Sequence, residues 1–247
     1  MGTGAARGRK RVDIRPVTRG LRLSLRVLCG AAAALALAGC GSSGKSAGST
    51  AQTAAEQQPA PAANVVRKTQ TRLEDAVLTS KAVGSDWKVV RPAEVAPVKE
   101  FCNRPLANGL KPFAQTTAAF RHRFGSAVTQ DLWAYAGDGA ERVIDDFRSV
   151  ISDCPSWDAT PELGRTVKYT LKPLDVAKLG DDSVAARLHF TNTFGGIEVD
   201  HSTIAIMIRR GNVINLLTET ANAGLFMAKG DTEKLAEKAD RRLAASG

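Results

Sequence analysis

Apolar positions recur with strand and helix periods through much of the chain. Thr117–Phe124, Val128–Tyr135 and Val167–Leu171 alternate between apolar and polar residues, which favours β-strands. From Val143 to Cys154 the apolar residues follow helical spacing, so this segment is predicted to be a helix with one buried face. Asp138-Gly-Ala-Glu141, just before it, has the arrangement of a capping box.

The clearest pattern lies between residues 183 and 220. Three β-rich runs are separated by Gly195-Gly196 and Gly211-Asn212, which are typical of short hairpin turns, so we predict a three-strand meander. The middle run, Ile204–Ile208, is apolar on both faces, as expected for a central strand covered on both sides. An amphipathic helix is predicted to begin near Asp231, to place Leu235, Ala239 and Leu243 on one stripe, and to close the domain.

These elements together predict an α+β fold: a largely antiparallel, twisted sheet with a crossover helix, a three-strand meander and a C-terminal helix. Residues 68–247 have the size of a single domain with a substantial core. Residues 40–67 are rich in Ser, Gly, Ala, Gln, Thr and Pro and have few large apolar side chains. We predict that they form a flexible tether spanning about 30 Å.

Residues 1–39 indicate an export signal. A basic leader precedes the apolar run Val27–Ala38, whose 12 residues are too few for a permanent membrane helix. The run ends in Leu37-Ala38-Gly39-Cys40, which matches the lipobox of bacterial lipoproteins. We predict general secretion, cleavage before Cys40, and lipid on the Cys40 thiol that anchors the protein to the outer face of a membrane. The alternative is an ordinary signal peptide, or an anchor helix, beside a chance cysteine.

Processing changes the charge of the protein. The full chain has a net charge of +9, but removal of residues 1–39 leaves 26 basic and 24 acidic residues, a net charge of +2. A nucleic-acid-binding protein should keep its basic surface after processing, so we predict no nucleic-acid partner. Gly39 to Ser46 match the P-loop pattern formally, but the strand and helix that a phosphate site requires do not flank them.

The four cysteines are predicted to have different roles. Cys29 leaves with the signal peptide and Cys40 carries lipid, so Cys102 and Cys154 remain in an oxidising compartment. Because each has only the other as a partner, we predict a disulfide.

Catalytic motifs are sparse. The chain has three histidines: His122, His189 and His201. A two-residue turn at 195–196 would pair Phe190 with His201 and Thr191 with Asp200. His189 would then lie near Asp200 and Ser202 on a hairpin, with no oxyanion donors implied. An ordinary polar sheet face is therefore favoured over a Ser-His-Asp site or a histidine–carboxylate metal site. We predict no catalytic residues, no metal and no cofactor.

Two aromatic residues suggest a groove. Trp133 and Tyr135 share one face of a predicted strand, and Leu132 and Ala134 lie on the other face. One of these two sets should face the core, and the other could line a groove that contacts sugar or lipid. The candidate groove residues are Trp133, Tyr135, His189 and Asp200.

Short motifs in the region 70–247 carry a resemblance. They are Leu73-Glu-Asp-Ala-Val-Leu-Thr79, Gly84-Ser-Asp-Trp87, Cys102, Cys154-Pro155, Leu179-Gly-Asp-Asp182 and Val213–Leu217. Together they resemble the PknH-type sensor domain, which occurs outside some actinobacterial receptor serine/threonine kinases and in stand-alone lipoproteins. The resemblance implies a surface-anchored, non-enzymatic binding or sensor-like module, expected to be monomeric, with an envelope ligand or protein partner. The alternatives are a cell-envelope hydrolase and a lipid or glycan carrier.

Overall fold

The computed structural model describes residues 60–95, 100–106, 109–160, 166–194, 197–222 and 229–247. The predicted signal peptide, Cys40, most of the predicted tether and the Gly195-Gly196 turn lie outside these ranges. None of the helices within them has the length and apolar character needed to cross a membrane.

The described residues form four α-helices and ten strands. The helices are α1 Ala63–Ala76, α2 Ser80–Val83, α3 Gly139–Asp153 and α4 Lys229–Ala245, with a short 3-10 turn at Pro92–Glu94. The strands are β1 Trp87–Val90, β2 Glu100–Phe101, β3 Arg104–Pro105, β4 Ala114–His122, β5 Ala127–Ala134, β6 Ser156–Ala159, β7 Val167–Leu174, β8 Asp182–Phe194, β9 Ile197–Arg210 and β10 Val213–Asn222.

Eight strands form one antiparallel sheet, and the remaining two form a small hairpin. The order in the sheet is β1-β4-β5-β10-β9-β8-β7-β6, whereas β2 pairs with β3. Helix α3 connects β5 to β6 at the far edge, so it crosses the sheet. The predicted α+β fold, with its crossover helix, meander and C-terminal helix, is confirmed.

The register of the meander also follows the prediction. Phe190 lies opposite His201, and Thr191 lies opposite Asp200, as a two-residue turn requires. Ile204–Ile208 are all buried. Alternate residues of this run pack against α4 and against the cluster that contains α3, so both faces of the strand are covered.

Helix α3 has the predicted buried face but not the predicted N-terminal cap. Its buried apolar residues are Ala140, Val143, Ile144, Phe147, Val150 and Ile151. The side chain of Asp138 makes no capping hydrogen bond, so the capping-box prediction is wrong. The backbone of Asp138 has φ −85° and ψ 5°, which is not the extended conformation that aims an N-cap side chain at the helix.

The first residue of α3 must be small. A Cβ on Gly139 would lie 2.7 Å from the Cβ of Tyr135. Glycine therefore lets the helix begin directly against the end of β5, and this contact positions Tyr135.

Helix α1 begins at Ala63, inside the segment predicted to be a tether that ends at residue 67. Leu73 and Ala76 are buried, and the Arg242 guanidinium donates one hydrogen bond each to the carbonyls of Val77 and Asp75, both at 2.8 Å. An alanine-rich and polar segment can be a tether or a helix, and here tertiary contacts favour the helix.

Helix α4 packs on the sheet face opposite α3. Its predicted stripe of Leu235, Ala239 and Leu243 is buried, which confirms the prediction. Asp240 accepts hydrogen bonds from the Arg210 guanidinium at 2.9 and 2.7 Å. The hydrogen bond to Asp240 is the main cause of the raised pKa of Arg210.

Candidate ligand-binding cleft

A cleft of about 430 Å³ opens beside β4 and β5, on the sheet face that packs against α3. Its floor is formed by residues of these two strands, and its wall by Pro105, Leu106, Leu110 and Pro112. The lining residues are Pro105, Leu106, Leu110, Pro112, Gln115, Thr116, Thr117, Asp131, Trp133 and Tyr135. Its volume falls in the range of small-molecule pockets. We refer to it as the Trp133 cleft.

The floor of the Trp133 cleft combines polar groups with an indole ring. Gln115 lies opposite Trp133, and Thr117 lies opposite Asp131, so all four side chains share one face. Asp131 is 4% exposed, and its Oδ1 accepts a hydrogen bond from Thr117 Oγ1 at 2.6 Å. The floor therefore places hydrogen-bonding groups directly beside the half-buried Trp133.

Tyr135 also lines the cleft and is 3% exposed. Its N–H donates to the carbonyl of Asn212 at 2.9 Å, and Asn212 Nδ2 donates to the carbonyl of Tyr135 at 3.1 Å. Burial raises the pKa of Tyr135 to about 12. The phenol is therefore neutral near neutral pH, so its oxygen can both donate and accept a hydrogen bond.

The wall of the cleft is tied to α3 by a cysteine pair. The structure brings Cys102 and Cys154 to disulfide distance, with their Cα atoms 6.3 Å apart, which supports the predicted pairing. Cys102 lies in the turn between β2 and β3, and Cys154 caps α3. The bond therefore fixes the β2–β3 hairpin at the start of the wall.

Two noncovalent contacts hold the same hairpin on α3. The rings of Phe101 and Phe147 meet edge to face with their centroids 5.2 Å apart, and both residues are fully buried. The Arg104 guanidinium lies 3.1 Å from Asp146 Oδ1. The hairpin thus adds to the core and holds the start of the wall in place.

A second cleft of about 410 Å³ adjoins the first and shares Pro112 and Gln115 with it. The side-chain amide of Gln70, from α1, pairs with the backbone of Gln115. Gln70 Nε2 donates to the carbonyl at 3.1 Å, and the Gln115 N–H donates to Oε1 at 3.2 Å. Strand β1 pairs with Ala119–His122, so at Gln115 the edge of β4 meets this amide in place of a strand.

The four candidate groove residues do not share one site. Trp133 and Tyr135 line the cleft together, whereas His189 and Asp200 lie on the face that packs against α4. His189 Nε2 lies 3.8 Å from Asp200 Oδ1, and these side chains are 49% and 60% exposed. Ser202 is buried, and its Oγ has no hydrogen-bond partner, so no nucleophile–base hydrogen bond forms in this trio.

Pattern reasoning missed most of the cleft. Asp131, Thr117 and Gln115 join Trp133 through the register of the β4–β5 hairpin, which could have been derived from the turn around Gly125. The wall came from a segment without strong periodicity, and its position depends on contacts distant in sequence. The sequence carries no local signal for it.

A row of aromatic rings across four neighbouring strands was also missed. Trp157, Tyr169, Phe190 and His201 follow one another with centroid separations of 5.3, 4.9 and 4.8 Å. The pair of Phe190 and His201 follows from the predicted meander. The other two pairs also require β7 and β6 to lie next to β8 in the sheet, which the sequence pattern does not show. Burial raises the pKa of Tyr169.

Among the described residues, no group of three or more His, Cys, Asp or Glu side chains is arranged to hold a metal ion.

A pH titration tests the burial of Tyr135, because the chain has two tyrosines. In a Tyr169→Phe variant, we expect phenolate absorbance of the folded protein to appear near pH 12, measured after a rapid pH jump. The urea-unfolded protein should titrate near pH 10. The neutral phenol thus stabilises the fold fully below pH 10, and this stabilisation is lost as the pH rises towards 12. A folded-state midpoint near pH 10 would contradict the burial.

Comparison with known proteins shows a likeness in fold. No family model and no curated protein matches the sequence. The chain is similar to the extracellular domain of PknH from Mycobacterium tuberculosis, at 13% identity and a TM-score of 0.55, covering 71% of this chain and 96% of that one. LpqN, involved in cell envelope biogenesis of the same organism, aligns at 11% identity over 64% and 77% of the two chains, but its TM-score of 0.23 supports no argument. At such low identity, the similarity to the PknH extracellular domain shows that the two have a similar fold.

Proposed function

We propose that this protein is a lipid-anchored, extracytoplasmic module that binds a ligand in the Trp133 cleft and does not convert it. The observation that carries the proposal is the cleft itself, where an indole, a buried carboxylate and neutral polar groups meet within about 430 Å³. The lipobox ending at Cys40 and the fold shared with an extracellular domain support the location.

The chemistry of the cleft favours binding over turnover. Among the described residues that line it, none is histidine, cysteine, serine or lysine. Covalent catalysis needs a nucleophile, a base and a third group that orients the base. Among the described lining residues, Asp131 supplies the one carboxyl group, and Thr117 donates a hydrogen bond to it. We therefore propose a sensor-like or ligand-presenting role, exerted by a monomer towards an envelope ligand or partner.

Complementation of a deletion strain tests this proposal. We expect Trp133→Ala and Asp131→Asn to lose the phenotype of the wild-type gene, because both remove groups from the cleft floor. His189→Ala and Asp200→Asn are the matched polar controls, because these residues are exposed and lie on the other sheet face. They should complement fully and change the free energy of unfolding by no more than about 0.5 kcal/mol.

The abundance of each variant is measured by immunoblot, so that loss of folding is separated from loss of function. Stable His189 or Asp200 variants that fail, beside Trp133 and Asp131 variants that succeed, would contradict the proposal. The hairpin face would then be the working site, and an envelope hydrolase would become the better hypothesis.

A further inference from the structure

We propose that the domain rests on an anionic lipid surface through the part of the sheet where β1 lies beside the end of β4. The exposed residues that form this surface are Lys88, Val89, Arg91, Arg121, Arg123 and Phe124. We refer to them as the Phe124 patch. The proposal goes beyond ligand binding in the Trp133 cleft, and it does not depend on lipid at Cys40.

Two apolar side chains of the Phe124 patch are exposed. Phe124, in the turn between β4 and β5, is 56% exposed, and Val89, on the edge strand β1, is 66% exposed. The Phe124 ring contacts the His122 ring with centroids 5.3 Å apart, and His122 in turn contacts the buried Trp87 at 5.0 Å. The core therefore holds the turn while the Phe124 ring stays exposed. Contact with an apolar layer would remove this ring from water, which is favourable.

Two cations of the patch lie side by side. Lys88 on β1 is directly opposite Arg121 on β4, so their side chains share one face of the sheet. Like charges in this arrangement repel one another, and an anion beside them would relieve the repulsion. The Arg121 guanidinium also donates a hydrogen bond to the carbonyl of Glu94, which keeps it near the edge strand. This pair therefore favours an anionic partner.

The other two cations have carboxylate partners, but the patch keeps a positive charge. Arg91 lies 2.7 Å from Glu94, and Arg123 lies 3.6 Å from Asp86. These arginine side chains are 86% and 60% exposed. Exposed ion pairs contribute little free energy, so a phosphate can compete with the carboxylates for both guanidinium groups. The four basic side chains of the patch and these two carboxylates together have a net charge of +2.

The position of Arg123 relative to Phe124 favours a membrane over a soluble anion. The guanidinium carbon of Arg123 lies 4.6 Å from the centre of the Phe124 ring. At a membrane surface the headgroup phosphates lie directly beside the acyl chains, so the guanidinium can contact a phosphate while the ring enters the apolar boundary. A soluble anionic polymer would use the cations but leave Phe124 and Val89 in water. Anionic lipids therefore match both properties of the patch.

Vesicle sedimentation of the full mature chain, residues 40–247, tests the proposal. The chain carries Cys40→Ser, so that no acyl chain contributes to binding. The probes are vesicles of phosphatidylglycerol mixed with phosphatidylcholine, and vesicles of phosphatidylcholine alone. We expect binding to the anionic vesicles that weakens as salt is added, and much weaker binding to the neutral ones. Lys88→Ala and Arg123→Ala should each lower the partition coefficient about fivefold.

The apolar contribution is measured with Phe124→Ser, which should lower the partition coefficient about tenfold. Val89→Ser is a second, independent variant, and it should weaken binding in the same direction. Both residues are exposed, so both variants should fold, which circular dichroism checks. Lys172→Ala and Val65→Ser are the matched controls, because these residues are also exposed but lie on β7 and α1, outside the patch. They should bind vesicles like the wild type.

Several outcomes would overturn the proposal. One is the absence of binding to phosphatidylglycerol vesicles, and another is equal binding to phosphatidylcholine vesicles. A loss of binding in Lys172→Ala equal to that in Lys88→Ala would show that the patch has no special role. If soluble poly-glutamate displaces the protein from vesicles, and Phe124→Ser and Val89→Ser bind like the wild type, the patch is a site for anionic polymers and not for a membrane.

Discussion

A variant with alanine at both Cys102 and Cys154 is expected to have a free energy of unfolding about 4 kcal/mol lower than that of the wild type. The two residues are 52 positions apart, so the bond removes much loop-closure entropy from the unfolded chain. Urea denaturation of the oxidised wild type and of the double variant measures the difference. The reduced wild type is the control, and it should match the double variant.

This loss of stability should be concentrated in the wall of the cleft. The bond ties the β2–β3 hairpin to the end of α3, and the wall follows directly after β3. Amide hydrogen exchange should therefore increase most in residues 100–113, and little in the central strands β9 and β10, which are buried. Ligand binding should weaken even at temperatures where the variant remains folded.

Arg104→Ala serves as a comparison, because it breaks one half-buried ion pair of the same hairpin and should cost about 2 kcal/mol, half of the loss expected for the double variant. Equal stability of the oxidised wild type and the double variant would contradict the prediction. Uniform acceleration of exchange across the domain would show that the bond does not act through the wall.

The second large effect is expected at Cys40. A Cys40→Ser variant should lose lipid and be released from the membrane, because no thiol remains for the diacylglycerol. Each buried CH₂ of an acyl chain contributes about 0.8 kcal/mol to membrane binding, so two chains make a stable anchor and their loss removes it. Metabolic labelling with a radioactive fatty acid, followed by membrane fractionation, measures both effects.

Cys29→Ser is the matched control, since Cys29 lies in the predicted signal peptide and should be absent from the mature protein. This variant should be labelled and pelleted like the wild type. If Cys40→Ser is still acylated and still sediments with membranes, the lipoprotein hypothesis is wrong. If Cys29→Ser loses the label, the predicted lipidation site is misplaced.

The meander β8–β10 shows how much of the fold the local sequence pattern can predict. Gly211-Asn212 and the alternating runs around it predicted strands β8 to β10, and the pairing of Phe190 with His201 followed from turn length. Short hairpins pair neighbours in sequence, so the period of two and the length of the turn settle the register. The same reasoning predicted the buried faces of α3 and α4.

The capping box and the start of α1 show where local pattern falls short. The residue types at Asp138-Gly-Ala-Glu141 fit the motif, but the contact between Gly139 and Tyr135 accompanies a different backbone at Asp138. Ala63 begins a helix because α1 meets β4 and α4, and a window of polar and alanine residues does not reveal those partners.

The sequence by itself determined the order and type of the main elements, the buried stripes of the helices, the meander register and the pairing of Cys102 with Cys154. Each of these depends on periodicity, turn chemistry or the elimination of other partners. Only the tertiary structure decided that Trp133 and Tyr135 line a cleft with Asp131, and that His189 and Asp200 lie on the opposite face. The cleft depends on which strands become neighbours across the sheet. It also depends on the disulfide between Cys102 and Cys154, 52 positions apart, which holds the start of the wall on α3. Burial and long-range packing set such contacts, and the local pattern of a sequence does not encode them.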